Sequence, residues 1–139
     1  MTQLEKVLYT AKVHTTGGRD HGVARSEDGR LDVRFSAPGF LGTGANPEQM
    51  FAAGWAACFE GAIGIAASKR RVTLPADMTI DSEVDLCLSG GAYSLRARLS
   101  VNLPGLERQL AQALVDSADQ TCPYSKAIRG NVDVTIRLV

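Results

Sequence analysis

No charge of either sign is in surplus. Fifteen Lys and Arg balance fifteen Asp and Glu, so the chain lacks the basic footprint of a nucleic-acid binder. Cysteine is scarce. Its three positions, Cys58, Cys87 and Cys122, form no Cys-x-x-Cys pair, which removes zinc-ribbon and thioredoxin motifs. The two histidines, His14 and His21, have no local zinc spacing to a cysteine, and no metal site is expected. The opening Met1-Thr2-Gln3-Leu4-Glu5-Lys6 lacks the basic-then-apolar pattern of a signal peptide. A cytoplasmic location is expected from it. In that compartment disulfides are uncommon, and those that form are usually transient, catalytic or regulatory. Repeats, linkers and low-complexity tracts are also missing. A length of 139 residues then predicts one domain, residues 1–139.

What is present is a long apolar run. Asn46 reads as a helix N-cap, Pro47 suits the first turn, and Gln49 occupies the capping-box position. From Met50 to Ser68 the only charge is Glu60. Length alone admits a membrane span. The mid-run Glu60, the glycines at 54, 61 and 64, and the strand-rich remainder predict instead a helix over 46–71, buried on nearly all sides, and no span. Gly54, Cys58 and Ala62 recur every four residues and predict a seam open to close approach of another backbone.

Before that helix, Val7, Tyr9, Ala11 and Val13 alternate as in a half-buried strand, Thr16 to Asp20 reads as a turn, and His21–Ser26 and Leu31–Ser36 read as further strands. The N-terminal region 1–37 is expected to be an antiparallel meander. After the helix, Met78–Leu88 and Tyr93–Leu103 alternate around Ser89-Gly90-Gly91. Leu106, Leu110, Ala113, Leu114, Ser117 and Ala118 mark an amphipathic helix, and Val132–Leu138 closes the chain as a strand. The expected class is α+β, antiparallel sheets packed around long central helices, with a ββαβ portion at 76–139. One small sheet covers one face of an all-apolar helix. A second copy of the chain is the simplest cover for the rest, and an intertwined homodimer is expected.

Cys58 has two readings. The plain one is a small core hydrophobe, inert because burial raises a thiol pKa. The reactive one requires an imported cation, for which Arg19 on the Gly17-Gly18-Arg19-Asp20 turn is the best candidate. Glu48 suits the role of a carboxylate holding that guanidinium, or simply favours the helix N-terminus. Glu48 and Cys58 stand ten residues apart on one helix, about 15 Å along its axis. The expectation is therefore that a partner subunit supplies Glu48, and with it Arg19. Cys122 precedes Pro123, and a helix start there would make it a good attacking or leaving thiol. Cys87, between Leu86 and Leu88, reads as incidental.

Tyr9-Thr10-Ala11, Gly17-Gly18-Arg19-Asp20, Asn46-Pro47-Glu48-Gln49, the run Phe51 to Phe59 and Cys122-Pro123-Tyr124-Ser125 together resemble the organic hydroperoxide resistance (Ohr) branch of the OsmC/Ohr family, over essentially the whole chain. The loop before Asn46 is shorter than the family's usual version, and Trp55 stands where a tyrosine is more typical. The resemblance implies a thiol peroxidase for organic hydroperoxides. It implies Cys58 as peroxidatic, Cys122 as resolving, Arg19 with Glu48 as the activating pair, and two sites at a subunit interface. It also implies no bound haem, flavin or metal, and lipoyl groups of lipoylated proteins as the reducing dithiol. Phe40, Leu41, Phe51, Trp55 and Tyr124 are expected to form an apolar wall favouring alkyl and fatty-acid hydroperoxides, at roughly 0.8 kcal/mol per buried methylene. The alternatives are an OsmC-type peroxidase of the sister branch, a thiol-based redox sensor, and a binding module with inert thiols.

Overall fold

The computed structural model of the chain describes residues 5–39 and 41–139. It divides into two compact units, Met1–Pro47 and Glu48–Val139.

In the first unit, β1 (Val13–Thr16), β2 (Val23–Ser26) and β3 (Asp32–Arg34) form an antiparallel sheet in that order. The first strand is shorter than the alternation from Val7 predicts. Its ladder begins at Val13 opposite Ser26, because β2 ends there in a turn. That turn is tied by Ser26 Oγ donating to Asp28 Oδ1 at 2.6 Å and by the Arg30 amide donating to the same oxygen at 3.0 Å. These bonds hold the Asp28 carboxyl below its usual range. Among the described residues, those from Glu5 to Lys12 then have no strand opposite, and Val7 and Tyr9 are exposed. The expected glycine turn contains a single helical turn, α1 (Gly18–His21), entered through left-handed Gly17 and Gly18. The short loop after β3 is pinned to it. Ser36 Oγ accepts from the Gly44 amide at 2.9 Å, and the Ala45 amide donates to the Arg34 carbonyl at 2.9 Å. A side chain at Gly42 would stand 2.4 Å from Ser36 Oγ, so this approach requires glycine.

The second unit is built on α2 (Pro47–Lys69) and a three-stranded sheet of β4 (Thr79–Ser89), β5 (Ala92–Asn102) and β6 (Asp133–Leu138). β4 and β5 form an antiparallel hairpin. β6 lies parallel to β5, pairing Arg96 with Asp133 and Val101 with Leu138, which corrects the expectation of wholly antiparallel sheets. Strand alternation is the same for either direction. The direction follows from the crossover through α3 (Arg108–Thr121) and α4 (Pro123–Ile128), the kind of long connection parallel pairing demands.

One sheet face supplies Ala97, Leu99 and Val101, which are buried with Trp55, Phe59 and Ile63 of α2 and Leu114, Val115 and Ala118 of α3. Each large side chain fully buried there stabilises the unit by about 1.5–3 kcal/mol. The other face carries charge. Arg98 donates to Asp85 at 2.8 Å and to Glu83 at 2.7 Å, and Arg96 Nε donates to Asp85 at 3.0 Å. The two guanidiniums hold the Asp85 carboxyl well below the usual carboxylate range. α3 begins at Glu107, whose carboxylate accepts from the Gln109 and Leu110 amides.

The chain by itself buries one side of α2. Trp55, Phe59, Ala62, Ile63, Ala66 and Ala67 are buried, whereas Ala53, Ala57, Glu60, Gly61, Ile65 and Ser68 are exposed. The expected burial on nearly all sides is therefore not met within one chain. By length and composition α2 is apolar enough to cross a membrane, with a mean hydropathy of 1.4. Its buried face packed on the sheet matches a core helix. The helix ends where Arg71 takes φ 55°, with the Val72 amide reaching the Ala67 carbonyl and the Arg71 amide the Ser68 carbonyl. That is a Schellman ending with arginine in the position that usually holds glycine.

Candidate active site

The site is centred on two sulfurs. Cys58 sits midway along α2. Cys122 occupies the junction of α3 and α4, where its amide donates to the Ala118 carbonyl at 2.8 Å and its carbonyl accepts from Lys126 at 2.9 Å. Pro123 then opens α4, because its fixed φ and missing N–H suit the first helical position. This corner turns Cys122 onto α2. Its Sγ lies 3.4 Å from Cys58 Sγ, with both thiols free.

The two sulfurs are not equally accessible. Cys122 is fully buried, at 0% exposure, and Cys58 is half-buried. This differs from the expectation that Cys58 is the thiol sealed in hydrocarbon. Burial pushes the Cys58 thiol up, the Tyr124 backbone N–H donating to its sulfur pulls it down, and the adjacent Cys122 pushes it up again. The net displacement is upward. The elements around Cys58 in its own unit therefore do not pre-ionise it, and ionisation calls for a cation.

α4 is fitted against α2 by three further contacts. Trp55 Nε1 donates to Ser125 Oγ at 3.0 Å. The Tyr124 ring lies over Gly54, where an added Cβ would stand 3.1 Å from its hydroxyl and 3.2 Å from its ring. Phe51 meets Tyr124 at a ring-centroid distance of 6.5 Å and Trp55 at 6.2 Å. The small-residue seam at Gly54, Cys58 and Ala62 thus admits a side chain and a thiol; the expected approach of another backbone is not what fills it in this chain.

The remaining expected residues divide between the two units. Glu48 lies in the first turn of α2, on the same helix as Cys58. Phe51 and Tyr124 face each other where α4 meets α2, and the Tyr124 backbone N–H reaches Cys58. Trp55 lies on the same stretch of α2 but offers no accessible wall in this chain, since it is wholly buried with its indole N–H satisfied by Ser125. Arg19 belongs to α1 of the first unit, with Nε 4.0 Å from Asp20 Oδ1. Leu41 is fully exposed in that unit beside a cavity of about 430 Å³ lined by Asp20, His21, Phe35, Ser36, Ala37 and Gly42. Phe40 lies outside the described residues. Among the described residues no group of three or more His, Cys, Asp or Glu is gathered to hold a metal. Ser125 and Gly54 were not singled out as site residues from the sequence. No sequence signal marked Ser125, because its partner Trp55 stands 70 positions away.

A profile described as OsmC-like protein matches residues 40–137. The organic hydroperoxide resistance protein of Xanthomonas axonopodis pv. citri is 46% identical over 142 residues, 99% of each chain. The chain belongs to the OsmC/Ohr family. The crystal structure of the organic hydroperoxide resistance protein OhrB of Bacillus subtilis superposes with a TM-score of 0.88 at 43% identity, over 96% of this chain and 100% of that one. An organic hydroperoxide resistance protein from Legionella pneumophila superposes at 0.87 with 42% identity, over 96% and 98%. The α+β arrangement is therefore the OsmC/Ohr fold, and the chain's place among organic hydroperoxide resistance proteins gives it a peroxide-related redox role.

Proposed function

We propose that the chain is a cysteine-based, dithiol-dependent peroxidase that reduces organic hydroperoxides to alcohols. The observation that carries the reading is the pair of free sulfurs 3.4 Å apart, one of them accessible. The Cys58 thiolate attacks the terminal oxygen of R–O–O–H. The O–O bond breaks, the alkoxide takes a proton and leaves as the alcohol, and Cys58 becomes a sulfenic acid. The Cys122 thiol then attacks that sulfur. An S–S bond forms, the S–O bond breaks, and hydroxide leaves with the thiol proton as water. The disulfide forestalls a second oxidation to sulfinic acid. An external dithiol reverses it by exchange, entering at Cys58, the sulfur within reach, and expelling the buried Cys122.

Ionisation of Cys58 at neutral pH is assigned to Arg19 held by Glu48. Both are contributed at the interface of a cytoplasmic homodimer, whose partner covers the exposed Ala53, Ala57, Gly61 and Ile65 stripe of α2. The reductant is assigned to lipoyl groups on lipoylated proteins, and the organic tail to the apolar surroundings of Phe51 and Tyr124. Mass spectrometry after one equivalent of an organic hydroperoxide tests the assignment. It predicts a Cys58–Cys122 link within one chain, and turnover when a dithiol is added. Recovery of unmodified Cys58 would refute it, and a disulfide without dithiol turnover would indicate a sensor.

A further inference from the structure

Trp55 and Ser125 form a second rung beside the sulfurs. Trp55 precedes Cys58 by three residues on α2, and Ser125 follows Cys122 by three at the head of α4. One helical step of three residues keeps both members of each set on one side of their helix. The two contacts therefore run parallel, 3.0 Å from Trp55 Nε1 to Ser125 Oγ and 3.4 Å from sulfur to sulfur. Both ends of the polar rung are buried, Trp55 at 0% and Ser125 at 3% exposure. α4 has only six residues and no side-chain cap at its start. Its far end is held separately, by Arg129 donating to Asp119 on α3. The Cys122 end is tied to α3 through the Ala118 carbonyl and packed on α2 through Tyr124; the Trp55–Ser125 hydrogen bond adds a directional tie from α4 across to α2.

We infer that Trp55 and Ser125 are positioning residues for the resolving step: their hydrogen bond keeps Cys122 within reach of Cys58 so that disulfide closure outruns a second oxidation. The inference rests on the two-thiol reading above. After the first oxidation, the Cys58 sulfenic acid faces two competitors. Attack by the Cys122 sulfur gives the disulfide and water. Attack of the Cys58 sulfenate on a second hydroperoxide transfers an oxygen, giving sulfinic acid and an alcohol. The first is intramolecular and depends steeply on how well the sulfurs are held in register. The second depends on peroxide concentration. Loosening the α4 end lowers only the first.

The ratio of sulfinic acid to disulfide, read by mass spectrometry across a hydroperoxide titration, reports this competition within each variant. It is independent of how fast the first oxidation runs. Trp55→Phe removes the donor and Ser125→Ala the acceptor. Each is expected to raise the ratio by about fivefold, the factor that one buried hydrogen bond sets. Ser125→Thr, which keeps the hydroxyl, is expected to restore it. Val101→Ala, a core truncation on β5, lowers stability without touching α4 and is expected to leave the ratio at the wild-type value. Should Trp55→Phe fail to fold, Ser125→Ala carries the test. A wild-type ratio in Ser125→Ala, or an equal rise in Val101→Ala, overturns the inference. A wild-type chain that oxidises at Cys58 but never links to Cys122 overturns the two-thiol reading, and the positioning role with it.

Discussion

Closing the Cys58–Cys122 pair gives a stability change that can be worked from the structure. The sulfurs stand 3.4 Å apart and a disulfide bond is about 2.05 Å, so a small approach of α4 suffices. The link joins positions 64 residues apart. Loop-closure entropy removed from the denatured chain then favours the oxidised fold by about 4 kcal/mol. For 139 residues, that corresponds to a rise in Tm of about 10–15 °C. Displacement of α4 and residual structure in the denatured chain subtract from this figure, so it is an upper value. Urea and thermal unfolding of reduced and oxidised protein, at one protein concentration and in a Cys87→Ser background, measure the difference. The Cys58→Ser, Cys122→Ser double variant sets the baseline and should not respond to oxidant. An oxidised form no more stable than the reduced one would refute the reasoning. It would mean that closure strains the α2–α4 packing by as much as the cross-link contributes.

Arg71→Gly is expected to stabilise the chain by about 1 kcal/mol, because glycine takes the left-handed position at the end of α2 without steric penalty; urea unfolding checks it, and a loss of stability would contradict it. The Asp85 carboxyl has its pKa depressed by Arg98 and Arg96, so it contributes stability above the unfolded carboxylate value of about 3.9 that is lost as pH falls through its lower folded value. The Tm gap between wild type and Asp85→Asn should therefore narrow as pH drops below about 4. A gap constant from neutral to acid pH would exclude the ion pairs as its source. A mixed dimer with Cys58→Ser in one chain and Glu48→Ala in the other tests the shared site. One competent site survives if the carboxylate crosses between subunits, and none survives if it serves its own chain.

Alternation made the strands and α3 legible in the sequence, and Asn46-Pro47 marked the start of α2. What stayed hidden was relational. Val132 to Leu138 alternates identically whether it runs with β5 or against it, so the parallel pairing was not readable. The run around Cys58 is apolar on every side, and such a run does not say which face the sheet takes. The depth ranking of Cys58 and Cys122 was lost for that reason. Trp55 read as a wall because large aromatics line pockets and cores alike; the buried Ser125 hydroxyl that satisfies its indole decides for the core. Outside the family resemblance nothing in the residues paired the thiols, since a separation of 64 positions carries no distance information; the corner at Pro123 brings them together.

The central claim is that Cys58, displaced toward the neutral thiol by its own burial, is ionised in the assembled protein by Arg19. Titration of thiolate ultraviolet absorbance in a Cys87→Ser, Cys122→Ser background measures this directly, with and without Arg19→Gln. The account predicts a Cys58 pKa below neutrality that rises above the ordinary thiol value when Arg19 is replaced. A Cys58 that stays protonated at neutral pH in the folded protein with Arg19 present would contradict it.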